Sequence, residues 1–201
     1  MATPQEREAV EEADAVTGGS VDALPRRSTP RNAEHTGSAD ELADELAELD
    51  AFLNDAGVGD MTSARELTRL PSAGVYAIPP RDYWPNIVPV LVSLRPVWEQ
   101  MGQLGFRGYR PPEYNDAVGG APDSMHLYFA AVDARAVPLT NTNRRRLALL
   151  AARQFEAVGE QFEVGLGVYG PNTPSNIHWD AGFRRRTWRD ARAWIEKARN
   201  T

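Results

Sequence analysis

The sequence predicts an α+β domain in which an antiparallel sheet is flanked by helices, and three features carry that prediction. Apolar residues recur at helical spacing over 42–53 and again over 87–101. Four short runs with strand character follow Gly105, at 106–109, 127–132, 164–169 and 176–180, separated by Pro, Gly and Asn clusters. Between the second and third of these lies another helical face, made by Leu147, Leu150, Phe155 and Val158. The 201 residues, 42% hydrophobic and 25% charged, suffice for one such domain with a tail.

Residues 1–37 are rich in small and charged types and nearly devoid of large apolar side chains, so they read as a disordered tail. Ser38 and Glu41 then stand at capping-box spacing ahead of Leu42, Leu46, Leu49 and Leu53, one face of an amphipathic helix. Gly57 and Gly59 end it, and the four prolines between 71 and 85 predict an irregular connection. The chain thus divides into a tail (1–37), a helix with its connection (38–84) and the functional domain (85–201). In the next helix Ile87, Val90, Leu91, Leu94, Trp98 and Met101 share a face. Pro89 suits its first turn, but Pro96 falls where a break or kink is expected, with no compensation legible locally. Thr140 and Asn143 are candidate caps for the third helix, and Arg144 to Arg146 form a solvated basic turn.

With no cysteine, disulfides and thiolate metal sites are excluded, leaving His, Asp and Glu as the strong metal ligands. A net charge of -6 gives no basic field for nucleic acid. No run reaches the roughly 20 apolar residues of a membrane span, and the N-terminus lacks the basic start and apolar stretch of a secretory signal.

Of three histidines, His35 falls in the tail, so a histidine-based metal site must use His126 and His178. Asp133 closes the short run that His126 begins, and two imidazoles with one carboxylate make three ligands. Three such ligands leave zinc's fourth position open to water, the arrangement of catalytic sites. The same residues also read as structural histidines, each satisfied by a hydrogen bond.

The stretch Phe106-Arg-Gly-Tyr-Arg110-Pro-Pro-Glu-Tyr-Asn115, the turn Val118-Gly-Gly-Ala121 and the series Ser124, His126, Ala131 and Asp133 resemble, in order, motifs of the zinc D-Ala-D-Ala carboxypeptidase family. That family includes L-alanyl-D-glutamate endopeptidases. Asn176-Ile-His178-Trp-Asp180-Ala-Gly182, followed by arginines and Trp188, is similar to its closing strand and tail. The resemblance covers roughly residues 85–190. It implies a hedgehog-like peptidase fold, one zinc ion per chain held by His126, Asp133 and His178, and a substrate role for Arg110. A planar guanidinium suits that role, since it donates paired hydrogen bonds to a carboxylate or an oxyanion. Ser124 is equally able to touch substrate or cap a turn.

Departures from the family pattern bear on activity. The signature glycine is Phe129, and the serines flanking Gly-Tyr-Arg are Arg107 and Pro111. Where several branches carry an acidic general base, three residues before the second zinc histidine, this chain has Ser175. Serine cannot take a proton at neutral pH, so Asp180 is the first substitute. On a strand it shares a face with His178, and it serves as a catalytic residue, as the partner that orients the imidazole, or as a partner of Arg184 to Arg186.

The expected function is zinc-dependent hydrolysis of D-amino-acid-containing peptide bonds in bacterial peptidoglycan, by a carboxypeptidase or a stem-peptide endopeptidase. That substrate implies the cell envelope or a phage-released lysin. The alternatives are a catalytically impaired, zinc-containing wall-binding module and a soluble domain with structural histidines and no metal. Oligomeric state is not legible.

Overall fold

The capping box forms: Ser38 N–H donates to Glu41 Oε2 at 2.7 Å, and Glu41 N–H donates to Ser38 Oγ at 3.3 Å. A computed structural model describes residues 30–71, 73–170, 176–182 and 184–201; residues 1–29 of the predicted tail, and Ser175, lie outside them. The box leads into α1 (Ala43–Asp55), where Leu46, Leu49 and Leu53, with Leu42 just before, are buried. They share one core with Val90 and Leu94 of the following domain, so the 38–84 segment is packed as part of it.

Two sequence expectations are corrected here. β1 (His35–Gly37), β2 (Arg69–Leu70) and β3 (Val75–Ile78) form an antiparallel sheet in the order β1-β3-β2, using residues assigned to the tail and to an irregular connection. Strands of two to four residues carry too little alternation to be read, and the prolines that suggested a loop flank β3 on either side. Between α1 and β2 lies α2 (Ala64–Thr68), capped by Ser63, whose Oγ accepts from Glu66 N–H at 3.3 Å.

α3 (Ile87–Met101) runs straight through Pro96. Proline offers no N–H to Val92, whose residue is solvent-exposed. The neighbouring Ser93 ties the helix to the rest of the domain: its carbonyl accepts from Gln154 Nε2 at 2.9 Å and its Oγ accepts from Trp179 Nε1 at 2.9 Å.

The main sheet comprises β4 (Leu104–Arg107), β5 (Ala131–Ala136), β6 (Gly165–Val168), β7 (Ile177–Asp180) and β8 (Arg186–Arg189), ordered β4-β5-β7-β6-β8. It is mixed rather than wholly antiparallel, because β8 crosses to the outer edge of β6 and pairs in parallel. β5 also starts later than the predicted 127–132 run, since Met125–Tyr128 form a 3₁₀ turn. α4 (Pro112–Ala117) precedes that turn, and α5 (Asn141–Val158) opens at Thr140, whose Oγ accepts from Asn143 N–H at 3.1 Å. α6 (Ala191–Arg199) packs on α5.

Alternation along the strands divides the sheet's faces. Val132, Leu166 and Trp179 pair in register and are fully buried, with Trp179 bonded to α3. On the opposite face one rung crosses all five strands: Arg107, Asp133, His178, Gly167 and Trp188.

Candidate metal centre

Asp133 and His178 are direct cross-strand partners, and His126 reaches them from the 3₁₀ turn before β5. His126 Nε2 lies 3.1 Å from His178 Nδ1 and 3.4 Å from Asp133 Oδ1, while His178 Nδ1 lies 3.2 Å from Asp133 Oδ1. Zinc–nitrogen and zinc–oxygen bonds of about 2.0–2.1 Å in a tetrahedron require ligand atoms about 3.3–3.4 Å apart. The triangle fits that requirement, and it is made of the neutral-imidazole and carboxylate donors that zinc accepts without thiolates. All three residues are buried.

Each imidazole is fixed from behind. His126 Nδ1–H donates to the carbonyl of Gly108, which leaves the Nε2 lone pair facing the triangle. His178 uses the opposite nitrogen: Nε2–H donates to Asp180 Oδ2 at 3.0 Å, freeing Nδ1. Asp180 is fully buried and also accepts from Arg186 Nη2 at 3.1 Å. The His178 ring therefore stands between Asp180 and the triangle. The outer oxygen of Asp133, Oδ2, accepts from Arg110, so that carboxylate too is held on both sides.

Two glycines of β6 make this face possible. A Cβ on Gly165 would fall 2.4 Å from Asp180 Oδ2, and one on Gly167 would fall 2.6 Å from the Trp188 ring. Without them neither the carboxylate nor the indole fits; Trp188 sits edge-on to His178, with ring centroids 4.9 Å apart. In the sequence these glycines look like weak points of a strand, and their reason lies in the side chains opposite.

At the family's glycine position, Phe129 adopts the left-handed conformation (φ 56°). That costs a non-glycine residue about 1–2 kcal/mol. The ring is fully buried and meets Tyr109 edge-to-face with centroids 6.3 Å apart, an arrangement whose burial is worth about 1.5–3 kcal/mol and whose ring contact adds about 0.5–1.5. Packing outweighs strain. Gly108 admits the ring, since a Cβ there would lie 3.0 Å from Phe129 Cε2 and 3.0 Å from the Leu67 carbonyl.

Burial, followed by the nearby Arg110 guanidinium, pushes the His126 pKa down to about 4. Burial alone would also lower His178 and raise Asp133 and Asp180. The carboxylates on both ring nitrogens instead raise His178, and the two imidazoles hold Asp133 well below the usual carboxylate range. His178 and Arg186 lower Asp180 likewise. Burial, with the Asp133 charge, pushes Tyr169 up to about 12, so its phenol stays protonated.

Two clefts meet at the triangle. The larger, about 650 Å³, is lined by His126, His178, Ser124 and Trp188 among others, and the smaller, about 260 Å³, by Asp133, Tyr109 and Tyr114. Arg110 and Tyr169 border both. Ser124 precedes the 3₁₀ turn without a side-chain capping bond. The structure thus gathers Arg110, Ser124, His126, Asp133 and His178 around one opening, and sets Asp180 behind His178. Sequence reasoning missed Tyr169 and the two β6 glycines; the pairing of Gly-Leu-Gly with the His-Trp-Asp strand was the available signal for the glycines.

No curated protein matches the chain. Residues 87–165 match the family model described as Peptidase M15. The match takes in Arg110, Ser124, His126 and Asp133 and stops before His178, which the β5–β7 register supplies as the third corner. Peptidase M15 enzymes are zinc-dependent, residues 87–165 of the chain are similar to that family, and the donor set and spacing of His126, Asp133 and His178 suit zinc.

Proposed function

We propose that the protein hydrolyses D-amino-acid-containing peptide bonds of bacterial peptidoglycan, as a DD-carboxypeptidase or a stem-peptide endopeptidase, and that it acts at the cell envelope or as a phage-released lysin. The observation that carries this reading is the triangle of His126, Asp133 and His178 donors, with edges of 3.1 to 3.4 Å, opening onto a cleft large enough for a peptide. When bound there, zinc supplies Lewis acidity that polarises a carbonyl and lowers the pKa of a water.

The chain's own residues do the rest. Asp180 and the Gly108 carbonyl hold the two imidazoles in the tautomers that present their lone pairs. Arg110 orients Asp133, and its guanidinium at the mouth of both clefts is placed to take a substrate carboxylate or the oxyanion of a scissile carbonyl. Tyr169, protonated at neutral pH and bordering both clefts, is a further donor to that oxyanion.

A second reading has one observation in its favour. Among the described residues, the carboxylates in contact with the ligand imidazoles are Asp133, itself a ligand, and Asp180, behind a ring. A wall-binding module that keeps zinc and cleft but turns over slowly is consistent with that. The test is zinc content of the full chain beside His126→Ala and His178→Ala, then incubation with purified peptidoglycan. One zinc lost in both variants, with release of D-alanine or new amino termini, supports the peptidase; zinc and wall binding without release supports the module. Absence of zinc from a zinc-supplied preparation overturns both.

A further inference from the structure

Although the protein carries a net charge of -6, the clefts beside the triangle are positive. Arg110, Arg184, Arg186 and Arg189 line the larger one against Asp123, and Arg69, Arg107 and Arg110 line the smaller one against Asp133. Arg110 and Arg186 are engaged by Asp133 and Asp180. Arg189 is different. It is exposed, forms no ion pair within 4.0 Å with any carboxylate among the described residues, and is held at φ 58°.

A left-handed arginine at a strand end is a place where glycine or asparagine would be the unstrained choice. Here it ends the alternation of β8: Val168, its register partner, is buried, whereas Arg189 lies on the cleft beside Trp188. Strain kept at the mouth of a binding site points to function. Concentrating positive charge in a cleft of an otherwise acidic protein selects anionic ligands and repels cationic ones.

We propose that the substrate is a multiply anionic peptide and that Arg189 holds one of its free side-branch carboxylates, so that the site discriminates against peptides in which that carboxylate is amidated. This deepens the peptidase reading and rests on it for the identity of the peptide. A guanidinium pairs a carboxylate through two N–H groups and gains much less from a neutral amide.

The probes are a stem pentapeptide, L-Ala-γ-D-Glu-L-Lys-D-Ala-D-Ala, with the α-carboxylate of its D-glutamyl residue either free or amidated. Binding to the zinc-free full chain is measured by calorimetry, and hydrolysis by the zinc-loaded protein is followed separately. The wild type binds the free acid about two- to fivefold more tightly, as expected for one exposed ion pair, and the difference shrinks in high salt. Arg189→Gly and Arg189→Gln abolish the difference, while the Tm of Arg189→Gly is no lower than that of the wild type, because glycine suits the backbone there. Equal affinities in the wild type, a preference that survives in both variants, or no binding of either peptide overturns the proposal. Preference for the free acid without hydrolysis of either peptide refutes the peptidase reading and leaves the anion selectivity standing.

Discussion

Replacing Asp180 by Asn separates the two roles that the sequence offers for this carboxylate. The change is isosteric and removes one negative charge from a fully buried position where His178 Nε2, at 3.0 Å, and Arg186 Nη2, at 3.1 Å, both donate to Oδ2. An amide oxygen can still accept from His178, so the tautomer survives, but the imidazole loses a charged partner and becomes a poorer donor to the metal. Losing such a partner weakens metal affinity about 10- to 100-fold, or about 1.4–2.8 kcal/mol. The zinc-free fold should lose about 1–3 kcal/mol as well, since Arg186 then faces a neutral group. Competition with a chromophoric chelator gives the zinc affinity, urea denaturation of the zinc-free protein gives the second quantity, and hydrolysis at saturating zinc isolates any direct part in the chemistry. A positioning residue leaves much of the saturated rate intact. If zinc affinity stays within twofold of the wild type while the saturated rate collapses, the positioning argument is refuted and Asp180 moves protons in the reaction.

Three further outcomes follow from the same geometry. Phe129→Ala should destabilise the protein by about 3–5 kcal/mol in urea, and Phe129→Gly by about 1–2 kcal/mol less, reversing the usual order of alanine and glycine because φ is positive there; alanine proving the milder change would contradict the strain. Gly167→Ala should cost about 1–3 kcal/mol through the Trp188 ring, and most of that cost should vanish in a Trp188→Ala background, as a double-mutant cycle will show. Zinc affinity should rise about tenfold per pH unit between roughly pH 5 and the raised pKa of His178, then level off, because one proton is displaced. His126, pushed down to about 4, is already neutral across that window, and Asp133 is already ionised. A slope of two protons, or none, in a pH series of chelator competitions would contradict this assignment.

The two histidines of the candidate centre were legible because the chain has no cysteine and only two histidines outside the tail, whereas Asp133 was singled out among 28 acidic residues by the short run from His126 and by the family resemblance. The face of α1 and the Thr140 cap were legible for a related reason, since both depend on residues within one or two turns of each other. What escaped the sequence depends on distant partners. Pro96 stands inside a helix where tertiary packing leaves Val92, whose carbonyl lacks its usual N–H partner, exposed to solvent, and nothing near the proline signals that exposure. The β1-β3-β2 sheet is built from strands too short to show a period. Phe129 marks a turn that its own type argues against, because burial beside Tyr109 outweighs the backbone preference. Asp180 was placed on the correct face by parity and offered as a partner of the imidazole, while the glycine that makes room for it, Gly165, was not legible because its reason lies on the neighbouring strand.

The rung from Arg107 to Trp188 has a consequence for how this chain can vary. Two of the three donors face each other across a single hydrogen-bonded pair of strands, so inserting or deleting one residue within β5 or β7 turns Asp133 or His178 to the helix side of the sheet. Connections outside the ladder, such as residues 137–140, carry no candidate metal ligand and can change length without disturbing the triangle. Length variation among natural or engineered variants that keep metal binding should therefore gather in those connections, leaving the 45-residue spacing between Asp133 and His178 free to drift while the alignment of the two strands stays fixed.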